Sequence, residues 1–309
     1  MANTRVLVRR RKSVRNTRKI TKTMEKISTA KLAKAQSAAL AARPYSSKLK
    51  EIIGSVASAG GAMQHPLLVP HPQPKKAVVI VLTADRGLCG AFNSNLLRVA
   101  KNLIADLKAK GRDLEFIVQG KKGIGAFKYM NLPIAERLIG VSDKPTYARA
   151  ETIADKLIAG YIKNELDEVY LVYSSFKSAA TQAPKEEMVL PLSALKGNSD
   201  ADGDKNAKKA AATTEIVAPK AGATGVGYLF HPDPQTILAQ VLPLVVKMSL
   251  FTAMLESTAS EHAARRLAMK NATDSADDMI KNLSREYNRA RQGKITQEIA
   301  EIVGGANAL

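Results

Sequence analysis

Residues 237–290 read ILAQVLPLVVKMSLFTAMLESTASEHAARRLAMKNATDSADDMIKNLSREYNRA. Stepping from Ile237 by four and then three, repeatedly, lands on Ile237, Val241, Leu244, Met248, Phe251, Leu255, Thr258, His262, Arg265, Met269, Ala272, Ala276, Met279, Leu283, Glu286 and Ala290; twelve of these sixteen are apolar. A stripe averaging 3.5 residues predicts a helix supercoiled against another helix. Asp233-Pro234 places a capping residue before a proline at the first helical position. Gly304-Gly305 supplies the stop, and Pro243 predicts a bend near the base. At 1.5 Å per residue, Pro234 to Val303 runs about 100 Å, longer than an ordinary domain. Such a helix needs a partner, and it suits a molecule that spans distance rather than one that closes a pocket.

The partner lies at the other end of the chain. Arg9 to about Ser58 is rich in Ala, Lys, Leu, Met, Gln and Arg, all good helix formers. No glycine occurs before Gly54, and the only proline is Pro44. Val14, Thr17, Ile20, Met24 and Ile27 form an apolar strip that continues through Ala30, Ala33, Ala35, Ala38, Ala39 and Ala42. Small alanine faces allow close helix approach. The simplest arrangement pairs the two terminal helices antiparallel, with the residues between them forming a separate domain. Two helices packed separately on a globular core are the alternative, and heptad regularity and length weigh against it.

Lys plus Arg number 47 against 28 acids, a net charge of +19, which predicts an acidic partner: nucleic acid, anionic lipid or acidic protein. The excess is concentrated between Arg5 and Lys26, with ten basic residues and one acid, Glu25. A solvated helix face is the bland reading of that run, and a surface that meets something negative is the functional one. The lone cysteine, Cys89, excludes an intramolecular disulfide and fits a reducing compartment. With no Trp and few aromatics there is little capacity to stack on bases. No run of 18 apolar residues occurs, so no membrane span is predicted, and no apolar signal segment opens the chain.

Between the helices the pattern is that of a small α/β domain. Lys76–Thr83 reads as a buried strand, followed by the turn Asp85–Gly90 and a helix from Phe92 to Lys110. Further strands are expected over Leu114–Gln119, Ile134–Ile139, Asp167–Tyr173 and Glu186–Pro191, with helices over Lys121–Tyr129 and Tyr147–Asn164. Strand-helix alternation means a mostly parallel, Rossmann-like sheet. The division expected is 1–60 for the first helix, 61–75 for a Pro-rich linker, 76–230 for the α/β domain and 231–309 for the last helix. Within the third, 196–225 is a mobile low-complexity insertion. Two Gly-rich patches, Asp85–Gly90 and Gly120–Gly125, follow strands and open onto helices, but neither is G-x-G-x-x-G or a phosphate loop. Cys89 has no second cysteine and no recognisable base, and His65, His71, His231 and His262 have no metal-ligand spacing. The residues predict no catalytic set, cofactor or metal.

Several segments resemble the γ subunit of F-type ATP synthases, and the match covers nearly the whole chain. They include Arg15-Asn16-Thr17-Arg18-Lys19-Ile20-Thr21-Lys22-Thr23-Met24-Glu25, then Ala30-Lys31-Leu32 and Arg43-Pro44-Tyr45, and the turn from Thr83 to Asn93. The C-terminal segments Ala259–Arg265, Met269–Asp274, Tyr287–Gln292 and Ile295–Ile299, completed by Glu301–Ala306, are the most specific. The resemblance implies a non-catalytic rotor shaft, one per complex. Its terminal helices would form an antiparallel coiled coil inside a ring of alternating α and β subunits, and its α/β domain would sit beside the ε subunit and the c-ring. It further implies a peripheral place on the cytoplasmic face of a bacterial inner membrane, an organellar one being the less favoured option. By motif match Arg291, Gln292 and Thr296 correspond to family positions that meet a β-subunit loop, with Lys22 and Met24 in the facing first-helix motif.

Three positions depart from the family pattern. Ala91 stands where many relatives carry glycine, Gly293 replaces a typical alanine at a cost of about 1 kcal/mol in helix propensity, and the single cysteine excludes the paired-cysteine switch of chloroplast relatives. With the resemblance set aside, the runner-up is a nucleic-acid-binding protein using its basic first helix. A dinucleotide enzyme comes third.

Overall fold

The computed structural model describes residues 4–59, 65–192 and 234–306. Helix α1 spans Thr4–Ala59 and helix α5 spans Pro234–Ala306. They run antiparallel. Thr21 Oγ1 meets Thr273 Oγ1 at 2.8 Å, Arg18 pairs with Asp277, and the Arg11 guanidinium lies 5.0 Å from the Tyr287 ring centroid. As the chain ascends α1, its partners descend α5.

The elements between them are β1 (Lys76–Leu82), α2 (Phe92–Ala109), β2 (Asp113–Gln119), α3 (Lys121–Tyr129), β3 (Glu136–Leu138), α4 (Tyr147–Ile162), β4 (Glu168–Phe176) and β5 (Gln182–Leu190). The sheet order is β3-β2-β1-β4-β5, parallel throughout except for β5, which pairs antiparallel with β4 at the edge. Strand β1 is central and buried on both faces, which is why it reads as an unbroken apolar run. Val78, Ile80 and Leu82 pack with α4 and the base of α5, including Leu242, Val246 and Met254. Ala77, Val79 and Val81 pack with α2 and α3 through Leu96, Leu103 and Phe127.

Apart from a short 3-10 helix at Pro66–Leu68 within the expected linker, element type is as expected along the described chain, and several ends differ. Helix α1 begins at Thr4, ahead of Arg9. Helix α5 continues through Gly304-Gly305 to Ala306, because glycine lowers helix propensity by only about 1 kcal/mol per residue and does not forbid the helix. Strand β4 extends to Phe176, and β5 starts at Gln182. The low-complexity stretch 196–225, the returning segment Tyr228–Phe230 and the cap Asp233 lie outside the described residues.

The seam between the long helices differs from the apolar stripes. On α1 the inward positions are Leu7, Arg11, Val14, Arg18, Thr21, Glu25, Ser28, Leu32, Ala35, Ala39 and Ala42. Their spacing is strictly four and three, a heptad, yet nearly half of them are polar. Ile20 and Ile27 face outward, 61% and 52% exposed, and Thr17 is exposed too. On α5 the seam runs Met269, Thr273, Ala276, Ile280, Ser284 and Tyr287, while Met279 is 51% exposed. From Met269 to Tyr287 the step averages about 3.6, the period of a straight helix, so a strict heptad count drifts off the contact face.

Candidate functional site: a polar joint where the long helix crosses the sheet

The chain leaves β1 toward β2 and β3, then returns to place β4 on the other side of β1. That reversal is a topological switch point, where open α/β sheets hold their ligands at the carboxyl ends of the strands. Here the place is occupied by α5. Ser257 Oγ donates to the Leu82 carbonyl at the end of β1 (3.3 Å), and Ser260 Oγ donates to the Ser174 carbonyl near the end of β4 (3.0 Å). Between them the single Thr258 Oγ1 proton lies between two acceptors, the Ser142 carbonyl in the loop before α4 (2.9 Å) and the Met254 carbonyl one turn back on α5 (2.8 Å). All three hydroxyl residues are buried.

The Gly-rich patches are likewise committed internally. A Cβ on Gly120 would sit 2.3 Å from the Thr83 carbonyl oxygen, and one on Gly123 would sit 2.5 Å from Thr83 Oγ1. These glycines let α3 approach the end of β1. The Asp85 carboxylate accepts hydrogen bonds from the Lys121 and Gly140 amides and from Ser142 Oγ, tying the turn to α3 and the α4 loop. Cys89 is buried, and burial pushes its thiol pKa up, away from nucleophilic thiolate character.

One turn farther along α5 is a buried set of charges. Arg265 reaches back to Glu261 (Nη2 to Oε1, 2.7 Å) and donates to the carbonyls of Gly87 and Arg86, both at 3.3 Å. Its Nη1 stands 3.3 Å from His262 Nδ1. Arginine only donates, so His262 Nδ1 accepts and its proton lies on Nε2, which faces Asp143 Oδ1 at 3.8 Å. Asp143 in turn accepts from Lys31 Nζ of α1 at 3.1 Å. Leu32 and Ala35 of α1 meet Ala259 and Ala263 of α5 and Phe176 of β4 beside this network. Three parts of the molecule therefore join at one level: first helix, last helix and sheet.

The electrostatics follow from the packing. Burial, reinforced by the neighbouring Arg265 charge, lowers the His262 pKa to about 4, so the imidazole is neutral. Burial pushes the Glu261 carboxyl up against the pull of Arg265. Burial also raises Asp143, but Lys31, His262 and Arg86 outweigh it and hold that carboxyl below its usual value. Asp143, Glu261 and His262 bring ligand atoms within 4.8 Å of one another. With Arg265 and Lys31 already on the two carboxylates, the cluster is built for internal ion pairing rather than for a cation.

A family model described as ATP synthase matches residues 3–309. A protein of Leptospira biflexa named ATP synthase gamma chain is 41% identical over 309 residues, the whole of both chains. The chain belongs to the ATP synthase gamma chain family. A gamma chain of Gemmatimonas aurantiaca is 40% identical over 309 residues, covering 100% of this chain and 99% of its own. Among solved structures, a chain of the Euglena gracilis mitochondrial ATP synthase matches with TM-score 0.62 at 20% identity, covering 99% of this chain and 94% of that one. A chain of the Tetrahymena thermophila central stalk and c-ring matches with TM-score 0.55 at 23% identity, covering 82% of this chain and 99% of that one. At those identities the structural likeness speaks to the fold. The nucleic-acid alternative finds no support in these matches.

The positions carried over by motif are on the helix pair, away from the joint. Arg291, Gln292 and Thr296 are exposed on α5, with Thr296 Oγ1 bonded to the Gln292 carbonyl at 3.0 Å. Arg291 borders a groove with Thr4, Val8, Tyr287 and Ile295 near the start of α1. Lys22 is exposed and Met24 half-buried. The two groups do not face each other. Because Thr21 pairs with Thr273, Lys22 and Met24 lie opposite residues 272 and 270, some 19–21 residues from Arg291, about 30 Å along the axis. Sequence reading did not find Ser257, Thr258, Ser260 or Asp143 as joint residues. The one available signal was the density of hydroxyls inside a helix, where Ser and Thr are poor formers.

Proposed function

We propose that this gamma chain is the central shaft of a rotary ATP synthase. Turning of a c-ring would carry the α/β unit, and the helix pair would transmit that turn to the β-subunit catalytic sites. The observation that carries the reading is a 73-residue helix fixed at mid-length to both α1 and the ends of the parallel strands. One asymmetric shaft in a threefold ring touches three identical β subunits differently, and differential contact shifts each site's equilibrium. The partners in this reading are the α and β subunits, ε and the c-ring, and the chain itself is non-catalytic. It divides into the two terminal helices and the α/β domain between them, and it sits peripherally on the cytoplasmic face of the membrane. An apolar window in α5 has the length and hydropathy of a span, but much of it is packed against α4, β1 and α1.

The exposed cations of α1 and distal α5 would meet acidic segments of the ring. Exposed pairs contribute only about 0–1 kcal/mol each, so they can be made and broken during a turn. Association with the ring should therefore weaken as salt rises, and salt-independent association would contradict this electrostatic role. Arg291 and Gln292 are proposed to meet a β-subunit loop, with Thr296 beside them and Lys22 and Met24 lower on the shaft. Replacing Arg291 and Gln292 by Ala should leave helicity intact and reduce ATP-driven proton pumping per ATP hydrolysed. Full coupling in that double variant would reject the assignment. The shaft role itself is tested by assembling the chain with an α/β ring and following a probe on the sheet unit during ATP hydrolysis. Rotation is expected, and hydrolysis without rotation would contradict it.

A further inference from the structure

A shaft transmits torque only if the unit that is driven cannot slip on the helix that drives. Apolar packing alone is weakly directional. Leu, Val and Met surfaces resist separation, but they resist rotation about a helix axis less well. At the crossing of α5 and the sheet, three hydroxyls occur within four residues, Ser257, Thr258 and Ser260. Ser257 and Ser260 point at main-chain carbonyls at the end of β1 and on β4, and Thr258 shares its proton between the carbonyl of Ser142 in the loop before α4 and that of Met254 on its own helix. Ser and Thr are indifferent helix formers, so this density is not explained by helix propensity. Two of the carbonyls belong to strands of the sheet and one to the loop before α4, and none of the three donor residues is more than 4% exposed, so water does not compete for the bonds.

We propose that Ser257, Thr258 and Ser260 are positioning residues forming a torsional clamp that fixes the azimuth of α5 relative to the sheet. The proposal deepens the shaft reading by naming where the driven unit grips the helix. At 3.6 residues per turn, Thr258 projects about 100° to one side of Ser257 and Ser260 about 60° to the other. A rotation of the helix about its axis lengthens at least one bond whichever way it turns. Apolar neighbours Met254, Leu255 and Ala259 supply the holding force, and the hydroxyls supply the angle.

The clamp is testable on the isolated full chain, so its failure is separate from that of the shaft reading. Spin labels at Lys121→Cys, beside the strand ends, and Lys281→Cys, on α5, report the sheet-to-helix distance distribution, with Cys89→Ser removing the native thiol. The double variant Ser257→Ala/Ser260→Ala should broaden that distribution by about twofold, since two of three directional bonds are gone. Thr258→Val should broaden it as well, whereas Thr258→Ser, which keeps the hydroxyl, should restore the parental width. Far-ultraviolet ellipticity and thermal midpoint serve as controls for folding. Should the double variant fail to fold, the Val and Ser single variants at Thr258 still decide the matter. In assembled complexes the clamp-deficient chains should hydrolyse ATP at the parental rate but pump fewer protons per ATP. Unchanged label widths in the Ala and Val variants, or equal broadening in Thr258→Val and Thr258→Ser, would overturn the clamp. Parental chain that pumps no protons in an assembled complex would instead overturn the shaft reading beneath it.

Discussion

Helix α5 carries two ion pairs of identical spacing and opposite character. Glu261–Arg265 has its partners 3% and 8% exposed, whereas Lys294–Glu298, farther along the same helix, has them 65% and 58% exposed. Both are i,i+4 pairs of the kind that lines helix faces. The first is locked under the strand ends and bonded to turn carbonyls. The second stands in water, near the start of α1. One helix thus contains a joint, where polar groups are committed internally, and a free end, where side chains remain available to another molecule. Rigidity and contact are allotted to different stretches of the same element.

The sharpest break in this contrast is removal of Arg265. Arg265→Ala should destabilise the chain by about 3–5 kcal/mol, because the buried Glu261 loses its partner and two carbonyls lose their donor. Urea unfolding of the purified chain measures it. A loss as small as that expected for an exposed pair would mean that the joint is wetter than its burial implies.

Acid should act on the joint next. His262 has its pKa held at about 4 in the fold, against 6.5 unperturbed. The unfolded chain therefore binds the proton first, and stability falls as pH drops from about 6.5 toward 4. The limit is about 3 kcal/mol at the low end of that window. Glu261, pushed up by burial, acts with the opposite sign and reduces the net change. The other charged groups around the imidazole are Arg265, Asp143 and Lys31. A His262→Gln variant, neutral throughout, should lose much of the slope between about pH 6.5 and 4.5 in a thermal-melt series. An unaltered slope would assign the acid sensitivity to other groups.

Effects at the free end should be smaller. Gly293 is helical and exposed, and a Cβ added there would meet nothing within 4 Å. Gly293→Ala should raise stability by up to about 1 kcal/mol, seen as a higher unfolding midpoint. Lys294→Ala should change stability by no more than about 0.5 kcal/mol, since its pair is solvated. A larger loss there would erase the distinction between the two stretches.

Much of the architecture was legible in the sequence. β1, α2 and α3 announced themselves by an unbroken apolar run, by helical spacing and by glycine turns, and the two long helices by composition and length. The seam was less legible for a physical reason. An apolar stripe marks the face that leaves water, but α1 turns Arg18, Thr21 and Ser28 toward α5 while Ile20 and Ile27 remain outside. Small polar groups that find partners permit close helix approach, and exposed isoleucines cost the isolated chain little. The joint was legible only as a motif. Nothing in the local pattern of Ser257 to Arg265 states that the carbonyls of β1, β4 and two loops will converge on it. Ser257, Thr258 and Ser260 reach acceptors far away along the chain, and only the fold brings them together.

The central claim is that α1 and α5 turn as one antiparallel body. Thr21 and Thr273 face each other across the pair with their hydroxyl oxygens 2.8 Å apart. With Cys89→Ser as background, Thr21→Cys and Thr273→Cys should form a disulfide on mild oxidation, and the cross-linked chain in an assembled complex should retain ATP-driven proton pumping. Failure of the two thiols to join, or loss of pumping that reduction restores, would mean that the two helices do not move as a unit.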